Sequence, residues 1–338
     1  MVELKKVVIA QALLLGHSLG MNSYVNHGSF GIAFRQFLGR VTVALVFGLW
    51  MAGNLIITCL AQNSGEFRRT EDVIYGRKHG VALTLDVFEP ARTNGYGILF
   101  MVSGGFFSSK AAINPAHYRA FLERGYTVFA VVHGSQPKYT IPEIMEDVQR
   151  ATRFVRYNAR RWGIHPDKLG VCGASAGGHL SLTLGTRGGP GRADAADPVD
   201  RASSAVQAVA CFFPPTDFLN YGRTGEVAVG VGILREFRPA FGPRADQPEE
   251  RLKYGQEISP IYYINSNLPP TLIIHGDADK LVPIQQSESF VEKARAAGAV
   301  ARLVVKPGRA HGWPDLLQDT RLLADWFDEH LRGLKKSQ

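Results

Sequence analysis

The sequence predicts an α/β chain built on a mostly parallel sheet with helices on both faces, and three observations carry that prediction. After Gly65, short apolar strand-like runs alternate with helical segments, the order that layers helices on either side of a sheet. Residues 97–103 (GILFMVS) and 126–134 (YTVFAVVHG) are almost unbroken apolar runs, as expected of parallel strands buried on both faces. Finally, the strand-like KLGVCG passes straight into Gly173-Ala174-Ser175-Ala176-Gly177 and then into a helical segment, a strand-turn-helix with a serine at its apex.

Taken in order, the elements begin with a leader. Residues 41–61 (VTVALVFGLWMAGNLIITCLA) are apolar, follow Arg35 and Arg40, and precede the polar run Gln62, Asn63, Ser64, Gly65. This is the layout of an export signal cleaved after Ala61, and the run is also long enough to stay as a membrane anchor. Residues 1–61 are therefore read as a leader, residues 62–338 as one catalytic domain, and the protein as exported, periplasmic or extracellular. Cys59 in Ile57-Thr58-Cys59 is a poor match to a lipid-attachment site.

The sheet opens with a hairpin: residues 72–76 and 82–90 alternate in the strand period around the turn at 78–80. Between the two apolar strands, 115–125 reads as a helix closed by Gly125, and 141–162 as a longer amphipathic helix with Pro142 near its start. Beyond the serine turn come a helix, a strand at 205–213, a polar insertion, a strand at 270–276, a helix, a strand at 301–307 and a last helix. The insertion over 216–259 lies where a lid would cover the carboxyl ends of the strands, and its Arg-, Glu- and Gly-rich composition equally suits a surface loop. No internal repeat is present.

Composition excludes several classes. The 338 residues carry 38 basic and 30 acidic side chains, a formal charge of +8. Four of the basic residues, Lys5, Lys6, Arg35 and Arg40, lie in the leader against Glu3 alone, so 34 basic and 29 acidic residues remain after position 61. These are interspersed, with no basic stripe or nucleic-acid motif, which argues against a nucleic-acid partner. Three cysteines cannot form a disulfide framework, and Cys172 and Cys211 sit in apolar runs as buried thiols. No phosphate loop, H-E-x-x-H or paired Cys/His spacing is present, so no metal or cofactor is expected.

The apex serine requires small neighbours, because a sharp turn crowds the backbone on both sides. Gly173, Ala174, Ala176, Gly177 and Gly178 meet that demand. A serine becomes a nucleophile only with a base held in the right tautomer by an acid. His275-Gly276-Asp277-Ala278-Asp279 follows one late strand and Gly308-Arg309-Ala310-His311 follows the last, giving the order Ser, Asp, His. Ser175, Asp279 and His311 are assigned as nucleophile, acid and base, with Asp277 and, more weakly, Asp217 as competing acids. Ser103-Gly104-Gly105-Phe106 follows the 97–103 strand, where the N–H groups of Gly105 and Phe106, with that of Ala176, can receive an oxyanion. His275 and His179 are read as structural, and His133 as a residue that can line the cleft.

In these motifs the chain resembles the α/β-hydrolase superfamily, in particular esterases similar to bacterial feruloyl and acetylxylan esterases and, more distantly, hormone-sensitive-lipase-like esterases. The carriers, in family order, are DVIYGRKHGVALTLDVFEP, VSGGFF, GIHPDKLGVCGASAGGHLSLTLG, ISPIYYI, PPTLIIHGDADKLVP and GRAHGW, and they span nearly everything after Asp72. The resemblance implies an α/β-hydrolase fold, a serine carboxylic-ester hydrolase working through an acyl-enzyme, and acetyl or feruloyl esters of polysaccharides as substrates. It also implies that Asp147 is a structural acid. Two departures stand out: Ser103-Gly104-Gly105-Phe106 replaces His-Gly-Gly-Gly, and His133-Gly134 replaces Tyr-Arg, a change expected to reshape the acyl pocket with Phe106, Phe107 and Trp313. A serine exopeptidase of prolyl-oligopeptidase type and a non-catalytic hydrolase-fold binding module are the alternatives.

Overall fold

The computed structural model describes residues 67–334. The leader expected over 1–61, including Cys59, lies outside the described residues. Eight strands form one sheet: β1 (Phe67–Lys78), β2 (Val81–Pro90), β3 (Gly97–Val102), β4 (Thr127–Val132), β5 (Leu169–Ala174), β6 (Ala208–Phe212), β7 (Thr271–Gly276) and β8 (Ala301–Lys306). Their spatial order is β1-β2-β4-β3-β5-β6-β7-β8. The β1–β2 hairpin and the β2–β4 contact are antiparallel, and every other pairing is parallel. The α/β-hydrolase fold expected from the sequence is the fold observed.

The helices are α1 (Arg119–Leu122), α2 (Ile141–Tyr157), α3 (Ala176–Arg187), α4 (Arg238–Phe241), α5 (Pro248–Ile258), α6 (Gln285–Ala296) and α7 (Leu316–Leu331). The sheet divides the core in two. Phe129 and Val131 of β4 pack with Ile144 and Val148 of α2, Leu180 of α3 and Phe290 of α6 on one face. Val128 and Ala130, the alternate residues of that strand, pack with Phe121 of α1 and Phe327 of α7 on the other. This explains why the central strands read as unbroken apolar runs, since both sides of each are buried.

Two helices are shorter than their sequence pattern. Residues 115–125 form a 3-10 turn (Pro115–His117), capped by the Asn114 side chain accepting from the Ala116 N–H, and then the single-turn α1, after which Gly125 takes a left-handed φ of 85°. The 141–162 segment leaves the α-helical path at Asn158, whose side-chain amide donates to the Phe154 carbonyl, and finishes as a 3-10 turn, Ala159–Trp162. At its start, the Glu143 carboxylate accepts from the Thr140 N–H at 2.8 Å and from the Thr140 hydroxyl at 2.7 Å, fixing where α2 begins.

Asp147 of α2 is buried and ties α2 to the sheet: it accepts from Lys78 Nζ at 2.6 Å and from the Gly134 N–H at 2.9 Å. Burial pushes its carboxyl upward, and the bonds from Lys78 and Gly134 work against that. Cys172 and Cys211 are buried free thiols on adjacent strands. Among the described residues, no helix is long and apolar enough to cross a membrane.

Candidate active site

Strand β5 ends at Ala174 and α3 begins at Ala176, leaving Ser175 alone to make the turn, with φ 55° and ψ −120°. A non-glycine residue at positive φ is costly and persists only where its surroundings hold it. Here the Ser175 N–H donates to the Phe212 carbonyl of β6 at 3.0 Å, and the Ser175 carbonyl accepts the first helical bond from His179 at 2.9 Å. The flanking glycines are a steric requirement: a Cβ on Gly173 would stand 2.5 Å from the Gly177 carbonyl oxygen, and one on Gly177 would stand 2.6 Å from the Met101 carbonyl oxygen. The sequence at 173–177 thus folds this way because side chains are excluded on both sides of the serine.

Two loops at the same end of the sheet supply the rest. Ser175 Oγ lies 2.9 Å from His311 Nε2, and His311 Nδ1 lies 2.7 Å from Asp279 Oδ2. With Nδ1–H donating to the carboxylate, Nε2 is left as the acceptor facing the hydroxyl. Asp279 is buried, and its other oxygen accepts from the N–H groups of Leu281 and Val282, both at 2.9 Å. Its burial favours the neutral acid, yet hydrogen bonds from His275, His311 and the Val282 N–H, together with attraction to His311, hold its carboxyl well below the usual carboxylate range. The Phe213 ring lies 4.5 Å from the His311 ring, centroid to centroid, and backs the imidazole.

The competing acids are elsewhere. Asp277 is exposed and accepts from the Gly308 N–H at 2.6 Å, which ties the β7 loop to the β8 loop rather than meeting His311. Asp217 turns to the Leu219 N–H, the Asn220 amide and the Tyr262 hydroxyl. His275 is fully buried, bonded through Nδ1 to Ser287 Oγ at 2.6 Å and through Nε2 to the Val282 carbonyl at 2.8 Å, with Asp279 Oδ2 at 3.2 Å. His179 is buried between the Phe106 and Phe218 rings, and its Nε2 donates to the Ile258 carbonyl.

Gly105, Phe106 and Ala176 line one pocket with Ser175. Gly105 and Phe106 adopt φ of 55° and 64°, and neither N–H donates to another group among the described residues. The remaining walls are mostly apolar: Pro215, Phe218, Tyr221, Leu234, Phe237, Phe241, Leu281 and Val282. Five of these, from Phe218 to Phe241, belong to the 216–259 insertion. The cavity they leave is only about 30 Å³, roughly the room of one water.

Three expectations for the pocket are corrected. His133 does not line the cleft but is buried against Ser103, because its ring nitrogens are taken by Ser103 Oγ and the Gly134 carbonyl. Phe107 is half-exposed outside the pocket, since the Gly104–Phe107 bridge turns it outward. Trp313 is held in the core by Phe212 and Phe213 and by its indole N–H donating to Asp319 Oδ2 at 2.7 Å. Conversely, Phe213, Phe237 and Gln136 were not singled out in the sequence. Phe213 immediately follows a strand that ends at the site, which is a usable signal; Phe237 lies in a polar insertion and carries none.

A serine at a strained strand-to-helix turn, a downstream acid and histidine, and a mostly parallel eight-stranded sheet define an α/β-hydrolase. Within that class the chain belongs to the BD-FAE family, whose model matches residues 85–294. Among individual proteins, it is 28% identical over 236 residues to the probable carboxylic ester hydrolase LipM of Mycobacterium tuberculosis, covering 68% of this chain and 52% of the relative. The chain therefore spans about half the length of that relative. Among solved structures, a truncated carbohydrate esterase from gut microbiota superposes with a TM-score of 0.67 at 26% identity, covering 80% of this chain and 98% of the other. The thermophilic esterase Est2 of Thermogutta terrifontis, solved with butyrate bound, gives 0.61 at 29% identity over 79% of this chain and 96% of its own. That esterase has also been solved phosphorylated by paraoxon.

Proposed function

We propose that this chain is a serine carboxylic-ester hydrolase in which Ser175 is the nucleophile, His311 the general base and acid, and Asp279 the residue that orients His311. The observation that carries the reading is the continuous chain from Ser175 Oγ through His311 to Asp279, with bonds of 2.9 and 2.7 Å, at the mouth of a narrow apolar pocket. As the Ser175 oxygen adds to an ester carbonyl, its proton passes to His311 Nε2, and the buried Asp279 carboxylate stabilises the imidazolium that forms. The tetrahedral oxyanion is received by the N–H groups of Gly105, Phe106 and Ala176, each such donor contributing on the order of 3 kcal/mol in the transition state. The alcohol leaves with the proton from His311, and water, deprotonated by the same nitrogen, then frees the acyl group.

The substrate we infer is a short acyl ester, acetyl before feruloyl, carried on a carbohydrate. Its support is the small cavity lined in part by Phe237 and Leu234, together with the likeness to a carbohydrate esterase. Reaction of the Thermogutta esterase with paraoxon fits an activated serine in a homologous site. The insertion at 216–259 is read as a lid, and the chain as exported by, or anchored through, residues 41–61; N-terminal sequencing of the protein recovered from cell envelopes distinguishes the two. The test of the activity is hydrolysis of p-nitrophenyl acetate by the wild type beside Ser175→Ala and His311→Ala. Turnover lost in both variants supports the proposal, whereas cleavage of aminoacyl amides in preference to esters overturns it.

A further inference from the structure

We propose that Gln136 is a positioning residue of the oxyanion site, aiming the Phe106 N–H into the Ser175 pocket by holding the carbonyl on the other side of the same peptide bond. The proposal rests on the assignment of Gly105 and Phe106 as oxyanion donors. The peptide bonds of the 103–108 loop are trans, so the carbonyl and the N–H of each peptide unit point in opposite directions. Fixing one end of a unit therefore fixes the aim of the other.

The two units that present candidate donors are both held in this way. The Gly104 carbonyl accepts from the Phe107 N–H at 2.9 Å, which directs the Gly105 N–H away from that bridge. The Gly105 carbonyl accepts from Gln136 Nε2 at 2.5 Å, which directs the Phe106 N–H the opposite way. The backbone N–H of Gln136 also donates to the Phe106 carbonyl at 3.2 Å, so one residue grips both sides of Phe106. Gln136 is buried, at 4% exposure, and a buried side-chain amide in a fixed bond is a stiff strut rather than a surface contact.

The grip is needed because the loop is strained. Gly105 and Phe106 follow one another at positive φ, and phenylalanine has no intrinsic preference for that region. Released, the Phe106 unit is free to rotate and withdraw its N–H from the developing charge. The neighbouring contacts hold the loop's flanks instead: Ser103 Oγ on His133 Nε2, and the Ser108 N–H on Ser135 Oγ. Among the described residues, Gln136 supplies the side-chain hydrogen bond to the Phe106 donor unit.

The test is Gln136→Met, which keeps shape and the backbone N–H but removes the side-chain donor, with Gln136→Glu beside it. Two rates are read on each folded variant: kcat for p-nitrophenyl acetate and the rate of covalent labelling by a fluorophosphonate, which also builds charge on an oxygen in the same hole. The expectation is that Gln136→Met lowers both by about 10- to 100-fold with KM changed less than about threefold, the signature of an interaction made in the transition state. Gln136→Glu can donate only when protonated, so its rate relative to wild type should rise as the pH is lowered from about 9 to about 6; a merely structural contact leaves that ratio flat. Rates within about twofold of wild type, or a loss carried wholly by KM, overturn the proposal. Labelling separates the two readings: if the wild type labels but does not cleave esters, the ester assignment fails while slow labelling of Gln136→Met still supports the role of Gln136.

Discussion

The bond between Ser175 and His311, at 2.9 Å, and that between Ser103 and His133, at 2.8 Å, are nearly equal in length, and the two pairs differ in everything that turns a hydrogen bond into chemistry. His311 Nδ1 faces the Asp279 carboxylate, whereas His133 Nδ1 faces the Gly134 carbonyl, a neutral acceptor that cannot stabilise an imidazolium to the same degree. Burial with no countercharge lowers the pKa of His133 to about 4, so protonating it during a reaction is unfavourable. Ser175 stands on a strained turn beside a pocket bordered by unengaged N–H groups; Ser103 is at the end of β3 with its partner sealed in the core. A nucleophile is therefore set by the third group, the turn and the access together, not by the serine–histidine distance.

The comparison is broken most severely by Ser175→Ala, which should lower kcat by about 10⁶-fold if Ser103 cannot substitute for it. Next comes the third group: Asp279→Asn should cost about 10⁴-fold through the wrong tautomer of His311, while Asp277→Asn, at a loop-to-loop contact, should stay within about threefold in the same kinetic assay. Access is tested by Phe237→Ala. The Phe237 ring lies against Gly105, where an added Cβ would stand 2.5 Å from it, so its removal should open the pocket. The ratio of kcat/KM for hexanoate to acetate esters is expected to rise by about 10-fold or more, on the scale of a methylene or two in an apolar pocket.

Ser103→Ala should leave kcat within about tenfold of wild type and instead cost about 1–2 kcal/mol in urea unfolding, since it orphans a buried imidazole nitrogen. A last contrast is a pH slope in stability with no catalytic consequence. The folded-state pKa values of His133 and His179, each lowered to about 4 by burial, lie below the ordinary 6.5 of the unfolded chain. The unfolded state thus takes up protons first, and stability should be unaffected above about pH 6.5, fall as the pH drops toward about 4, and fall no further on their account below it. Replacing His133 with Gln should flatten that slope in pH-dependent urea titrations.

The Ser175 side of this comparison was legible in the sequence and the Ser103 side was not, for a physical reason. Strand period and apolar runs report burial, which is why the runs in the sequence agree with β3, β4, β5 and β7 to within a residue or two. The glycines around Ser175 report a steric demand that acts between near neighbours along the chain, so GASAG can be read directly. The pairing of Asp279 rather than Asp277 with His311 depends on loops that meet only in three dimensions, and the two acids sit two residues apart in similar local sequence. His133 and Gln136 act across the sheet edge on the 103–108 loop, roughly thirty residues away, and nothing local in SQPK announces it. The helical pattern over 115–125 does not announce that the path changes at Tyr118, where the 3-10 turn capped by Asn114 gives way to a single α turn.

The measurement that bears most directly on the distinction between the two pairs is site mapping of a fluorophosphonate adduct by intact mass and peptide sequencing. A single adduct on Ser175, absent from Ser175→Ala and never found on Ser103, is the predicted result. An adduct on Ser103, or a folded wild-type protein that takes up no label, would contradict it.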